Sequence, residues 1–71
     1  MDKEIALIEL GLDLEKVKER NGKFAVVEYI GTWDDEAHYW YYWYDLNNLD
    51  DVDLEHLKFL CDHPQFRGFA Y

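Results

Sequence analysis

The stretch that decides the fold is KFAVVEYI, residues 23–30, followed after GTWDDE by AHYWYYWYDL, residues 37–46. Both segments are rich in β-branched and aromatic residues, which favour strands, and Gly31 ends the first of them. The connection between them, residues 31–36, is short and acidic. The two segments therefore predict an antiparallel hairpin with an acidic tip.

The segment before the hairpin, residues 2–20, has the composition and spacing of one helix. Its apolar residues recur at helical intervals, and Asn21-Gly22 supplies the left-handed residue that commonly closes a helix. A strand is the alternative, because Gly11 weakens the middle and the apolar positions of residues 8–14 also alternate. The charged segment that follows them is poor strand material, so we predict the helix.

A second helix is predicted after the hairpin. Asp50, Asp51 and Asp53 can cap its start and favour its positive end, and Pro64 stops it. The aromatic tail, residues 65–71, can add a short third strand. The apolar face of this helix consists of Leu54, Leu57, Leu60 and Cys61.

Together these segments predict an α+β fold, with residues 1–71 forming a single compact domain. It comprises an N-terminal helix, an antiparallel hairpin or three-stranded sheet, and a C-terminal helix. The apolar content of 49 % supports one core rather than a disordered chain. A domain of this size buries only about 60 % of the surface of its unfolded chain, so dimerisation is a simple way to add stability.

Lysine and arginine are absent between Phe24 and Leu57, although that interval holds nine carboxylates and nine aromatic residues. Ordinary soluble surfaces intersperse charges of the two signs. With a net charge of −9 the chain lacks the basic contacts that phosphate backbones and anionic membranes require, so we expect neither nucleic-acid nor membrane binding. A one-signed rim around amphipathic rings instead attracts a basic protein surface.

The unbroken aromatic run from Tyr39 to Tyr44 puts rings on both faces of its strand, because neighbouring side chains point to opposite faces. Two helices normally cover one face of a small sheet and leave the other row without a cover. The alternative is a closed core, in which one helix packs on each face or the tail folds over. An uncovered row also predicts self-association through residues 37–46. The predicted partner-binding residues are Asp34, Asp35, Glu36, Tyr39, Tyr41, Trp43, Asp50, Asp51 and Asp53.

In composition the chain resembles small acidic proteins, many encoded by viruses and mobile elements, that occupy the nucleic-acid-binding surface of a host protein. The resemblance implies an inhibitor that presents carboxylates in place of phosphates, such as a phage-encoded anti-defence protein. Two other functions stay open. One is an aromatic platform for a sugar, or a cage for a cationic or methylated ligand built from Trp33 with Tyr39, Trp43 or the tail aromatics. The other is a structural homodimer.

Neither a metal site nor a cofactor is predicted, and we do not expect an enzyme. His56, Cys61 and His63 form a partial ligand set that needs a fourth donor such as His38. The calcium-loop spacing that begins at Asp45 fails because His56 stands where a bidentate glutamate is required. The sequence also offers no nucleophile flanked by a base and no glycine-rich phosphate loop.

Cys61 is the single cysteine, so an internal disulfide is excluded. No positively charged apolar leader precedes the first helical segment, and the longest apolar run is too short to span a bilayer. These features favour a reducing cytoplasm. Cys61 itself is expected on the buried face of the last helix, as an unreactive small hydrophobe.

Overall fold

The computed structural model describes residues 2–71, in which three α-helices and three strands follow the order α-α-β-β-α-β. The predicted α+β class is confirmed. No helix within these residues has the length and apolarity needed to cross a membrane. The elements are α1 (Lys3–Glu9), α2 (Leu14–Glu19), β1 (Lys23–Trp33), β2 (Glu36–Asp45), a 3-10 helix (Leu46–Asn48), α3 (Asp51–Cys61) and β3 (Phe66–Ala70).

The N-terminal segment is two short helices, so the prediction of one helix over residues 2–20 is wrong. Gly11 has a φ of +102°, a left-handed conformation that ends α1. Asp13 then starts α2, because its side chain accepts hydrogen bonds from the backbone N–H of Glu15 at 3.1 Å and of Lys16 at 3.4 Å. The strand alternative for residues 8–14 is wrong as well, since they span the end of α1, a turn and the first residue of α2.

The predicted stop at Asn21-Gly22 is confirmed for α2. Both residues have positive φ, +57° and +88°, and the N–H of Gly22 donates to the carbonyl of Val17 at 2.9 Å. This tight reversal leads the chain directly from α2 into β1.

β1 is the central strand of an antiparallel sheet with the order β2-β1-β3. β1 and β2 pair along their whole length, so the hairpin connection is the two-residue turn Asp34-Asp35 and not the longer loop expected over residues 31–36. Both turn residues have positive φ, +55° and +62°, as a type I′ turn requires. β3 pairs with the other edge of β1, which confirms the three-stranded sheet and the short final strand.

The hydrophobic core lies on one face of the sheet. Phe24 and Val26 of β1 are fully buried there against Leu7 of α1, Val17 of α2 and Leu57 of α3. All three helices therefore cover the same face, and the closed-core alternative with one helix on each face is wrong.

α3 begins as predicted at its acidic residues. The side chain of Asp50 accepts from the N–H of Asp53 at 2.8 Å, and the side chain of Asp53 accepts from the N–H of Asp50 at 3.3 Å, which makes a capping box. The helix ends three residues before Pro64. Its inward face consists of the buried Leu54 and Leu57 and the half-buried Leu60 and Cys61.

Candidate functional site

The face of the sheet opposite the helices carries an exposed row of aromatic rings. Tyr39, Tyr41 and Trp43 alternate along β2, and their residues are 44 %, 47 % and 61 % exposed. The strand register pairs them with residues of β1, Tyr39 with Tyr29, Tyr41 with Val27 and Trp43 with Ala25. We refer to this surface as the open face, and its residues are Ala25, Val27, Tyr29, Tyr39, Tyr41 and Trp43.

Tyr29 anchors the end of the open face nearest the hairpin turn. Its ring meets Tyr39 edge-on with the ring centroids 5.9 Å apart, and its hydroxyl forms a hydrogen bond with that of Thr32. The guanidinium of Arg67 in β3 lies over the same ring, 5.2 Å from its centroid. Sequence reasoning missed both residues of this cation–π pair. The alternation of Tyr29 with Val27 in β1 was the signal that could have found the tyrosine.

The other aromatic row of β2 faces the helices and is only partly covered. The ring of Tyr44 stacks on Phe24 with a centroid separation of 5.8 Å, and the hydroxyl of Tyr42 donates to Glu28 Oε1 at 3.3 Å. Burial raises the pKa of both tyrosines above 10.0, and the Glu28 carboxylate adds to the rise in the pKa of Tyr42. Trp40, nearer the hairpin turn, remains 56 % exposed.

Trp33 and His38 form a separate pair near the hairpin turn. Their rings stack 3.7 Å apart with an interplanar angle of 6°, and a hydrogen bond of 3.3 Å joins His38 Nε2 to the carbonyl of Trp33. By strand alternation both lie on the face opposite Tyr39, so Trp33 does not converge with Tyr39 and Trp43 as the cage hypothesis requires. The tail aromatics Phe66, Phe69 and Tyr71 pack against the core instead.

The two predicted acidic groups lie at opposite ends of the sheet. Asp34, Asp35 and Glu36 are at the hairpin turn, whereas the 3-10 helix and the start of α3 follow the far end of β2. Ten residues of β2 at about 3.3 Å each put these ends about 33 Å apart. The structure therefore does not bring the two groups together, and it places the aromatic row between them.

Local backbone requirements explain several of these acidic residues. Asp34 and Asp35 hold the left-handed turn positions that Asp tolerates, and Asp50 and Asp53 make the capping box. Asp51 lies 3.9 Å from the Nζ of Lys3. The turn residues and Asp50 and Asp51 are exposed, so their charges also face outward.

The far end of the sheet carries compensating positive charge. The Nζ of Lys23 lies 2.5 Å from Asp45 Oδ2, and this hydrogen bond is the main reason that the pKa of Asp45 is below its usual 3.8. The N–H of Asn47 also donates to Asp45, at 2.9 Å. The carboxylates of the hairpin turn have no basic residue nearby in sequence, because no lysine or arginine occurs between Phe24 and Leu57.

The remaining candidate groups stand apart from the open face. Burial raises the pKa of the Cys61 thiol to about 11, so the thiol is protonated at neutral pH. Among residues 2–71, no group of three or more His, Cys, Asp and Glu side chains is placed to hold a metal ion.

The open face and its flanking carboxylates thus make the candidate site. Comparisons of the chain with protein-family models, curated proteins and solved structures find no match.

Proposed function

We propose that this protein is a small acidic binding module that inhibits a partner by occupying its basic, nucleic-acid-binding surface. It would act in the cytoplasm without catalysis, as a nucleic-acid mimic such as a phage-encoded anti-defence protein. The observation that carries the proposal is the uncovered aromatic row of β2 within a stretch, Phe24 to Leu57, that contains carboxylates but no lysine or arginine.

The distance between the acidic groups supports the proposal. The hairpin turn and the far end of β2, after which α3 begins, are about 33 Å apart. One turn of duplex DNA measures about 34 Å, so two phosphate-binding regions one turn apart on a partner could each meet one group. Fixed carboxylates suit such a role because a rigid sheet and a capped helix start hold them in place.

Rings and carboxylates would contribute differently to binding. Trp43 is 61 % exposed, and a large ring that becomes buried at an interface acts as an anchor and slows dissociation. The separated carboxylates would mainly speed association by steering. The attraction between these carboxylates and a basic partner is screened beyond about 8 Å at physiological ionic strength, so association should slow steeply as salt is added.

Affinity capture from a lysate at low and at high salt, with identification of the eluted proteins, tests the proposal. A nucleic-acid-binding protein should elute as salt rises, and the nucleic acid that it normally binds should compete with this protein for it. Trp43→Ala should speed dissociation. If the partner binds nucleic acid and this protein at the same time, mimicry is wrong.

A platform for planar or sugar rings is the second candidate, and the alignment of Tyr39, Tyr41 and Trp43 on one face favours it. Alternate residues of a strand are about 6.6 Å apart, which suits successive rings of an extended ligand. Such binding would persist at high salt and fail in Tyr41→Ala. Titration of the tryptophan fluorescence with oligosaccharides at two salt concentrations separates this candidate from the first.

A further inference from the structure

The outer edge of β2 has none of the usual devices that prevent strand pairing. Within the described residues β2 pairs only with β1, because the sheet order is β2-β1-β3. From Ala37 to Tyr44 the strand contains no proline, lysine, arginine or carboxylate. The one register irregularity of the hairpin falls between Tyr29 and Gly31 of β1 and leaves β2 regular. Long apolar edges of this kind are templates for another strand.

The backbone groups that face outward along this edge can be assigned from the hydrogen bonds of β1. The N–H of Tyr29 donates to the carbonyl of Gln65 at 2.8 Å, on the β3 side, so its cross-strand neighbour Tyr39 directs its own groups away from β1. At the far end the N–H of Leu46 donates to Gly22 at 2.8 Å, which fixes the same alternation. The outward backbone groups belong to Ala37, Tyr39, Tyr41 and Trp43.

We propose that β2 pairs with β2 of a second copy of this chain, antiparallel and across a two-fold axis. The two sheets then join into one six-stranded sheet. Residues opposite one another must share a face, so the axis passes through a residue and not between two. Trp40 and Tyr41 lie nearest the middle of β2, and each defines one register. In both registers the outward backbone groups meet each other, and the two open faces become one continuous aromatic surface.

The charge distribution favours one of the two registers. Glu36 and Asp45 lie at the two ends of β2. The register with its axis at Tyr41 sets no two carboxylates opposite each other, whereas an axis at Trp40 sets Asp45 opposite Asp35 of the second copy. Antiparallel pairing puts the two acidic hairpin turns about 33 Å apart, much further than the screening length of about 8 Å. Each turn approaches the end of the other copy that carries the ion pair of Lys23 with Asp45 and the acidic start of α3, so repulsion opposes pairing at low salt.

The side chains at this edge supply part of the area that a stable dimer needs. Beside β2, α3 presents Val52, His56 and Phe59 on one side, and Phe59 is 68 % exposed. His56 and Phe59 line a cleft of about 210 Å³ together with Tyr42 and Tyr44. A buried aromatic side chain covers about 150–250 Å². Trp40 and Phe59 lie off the open face and are 56 % and 68 % exposed, so they leave on the order of 250 Å². A stable interface takes about 800 Å² per partner, so the paired backbones and the flanks of neighbouring side chains must supply the rest.

Sedimentation equilibrium and amide hydrogen exchange test this pairing. A chain of 8.6 kDa should sediment at twice that mass at high micromolar concentration. The amides of Tyr39, Tyr41 and Trp43 should exchange more slowly as the protein concentration rises. Added salt should strengthen the dimer because it screens the repulsion between two chains of net charge −9. Binding to a basic partner should weaken with salt, so failure of the two proposals is distinguishable.

Tyr41→Pro removes one outward N–H and spares the hydrogen bonds to β1, so this variant should be a folded monomer by circular dichroism and sedimentation. Tyr41→Val is the matched control, which loses the ring, keeps the N–H and should stay dimeric. If Tyr41→Pro does not fold, hydrogen exchange at the Tyr39, Tyr41 and Trp43 amides of the wild-type protein tests the pairing instead. A monomeric wild-type protein overturns the proposal, and so does a dimer in which these three amides exchange rapidly.

Discussion

At the scale of single residues, Phe24 holds the sheet and the helices together. It is fully buried, with Tyr44 stacked at 5.8 Å and Phe69 edge-on at 6.4 Å. Removal of a buried phenylalanine ring costs about 3–5 kcal/mol. A domain of 71 residues has a free energy of unfolding of roughly 4–10 kcal/mol. Phe24→Ala should therefore remove roughly half of the free energy of unfolding.

Tyr41→Ala is the matched control for that variant, since it removes a half-exposed ring from the open face. It should lower the free energy of unfolding by about 1 kcal/mol or less. Urea unfolding followed by circular dichroism measures both variants. If Tyr41→Ala and Phe24→Ala lowered the free energy of unfolding equally, the open face would be packed as tightly as the core.

Cys61 should react slowly with thiol reagents. Because burial raises its pKa to about 11, roughly one thiol in a thousand is ionised at pH 8, against about one in ten at the ordinary pKa of 9.0. Its reaction with a disulfide reagent at pH 8 should be slower than that of a free thiol by about 100-fold, and urea should restore the rate. Rapid modification of the native protein, or zinc that is lost in Cys61→Ala, would contradict this assignment.

Asp45 should make stability depend on pH in the acid range. The hydrogen bond from Lys23 lowers its folded pKa below 3.8, so its contribution is present above the unfolded pKa and disappears as pH falls through the folded value. Asp45→Asn should thus be less stable than the wild type near neutral pH, and the two should converge in acid. Thermal unfolding across this range measures the difference. A stability difference that does not shrink in acid would mean that the charge of Asp45 is not the cause of the loss.

At the scale of elements, the sequence predicted the strands and α3 better than the N-terminal helices. Strand residues such as Val26 and Val27 and the capping acids of α3 act through local chemistry, which a sequence displays directly. Gly11 was seen as a weak point of one helix, but whether a glycine interrupts a helix depends on tertiary packing. The hairpin was predicted, but the two-residue length of its turn was missed, because Asp34-Asp35 is not the Asn-Gly or Asp-Gly pair that usually marks such a turn.

The candidate site was predictable in content but not in arrangement. Alternation along β2 divides its rings into two rows, yet it does not say which row the helices cover, and Phe24 and Val26 of the neighbouring strand decide that. The contact of Arg67 with Tyr29 joins residues from distant parts of the chain, so no local pattern reports it. Whether the candidate residues bind a partner stays a prediction.

The type I′ turn predicts a variant that gains stability while losing charge. Asp34 and Asp35 have φ of +55° and +62°, and Asn-Gly is the preferred pair at these two positions. The double variant Asp34→Asn with Asp35→Gly should raise the free energy of unfolding by about 0.5 kcal/mol. Asp35→Val should instead lower it by more than about 1 kcal/mol, because a β-branched residue resists positive φ. Urea unfolding of the three proteins tests the assignment, and a stable Asp35→Val protein would contradict it.

At the scale of the whole molecule, charge is distributed along an extended shape of 42 × 24 × 17 Å. The hairpin turn and the far end of β2, after which α3 begins, lie about 33 Å apart, beyond the distance at which neighbouring substitutions usually interact. Neutralising the two groups should therefore slow association with a basic partner by independent factors. The turn variant is Asp34→Asn, Asp35→Gly and Glu36→Gln, and the helix-start variant is Asp50→Asn, Asp51→Asn and Asp53→Asn.

These substitutions keep the local structure, because Asn-Gly suits the turn and Asn is as good an N-cap as Asp. The matched control neutralises the exposed Glu9, Glu15 and Glu19, three charges from the helical side of the molecule. At fixed low salt the association rate should fall in the turn variant and in the helix-start variant. In the variant that combines them, the rate should fall by the product of the two separate fold-changes. The control should change the rate less. Equal slowing in the control would mean that net charge alone drives association. The positions of the carboxylates would then carry no information for the partner, and the aromatic row alone would have to account for recognition.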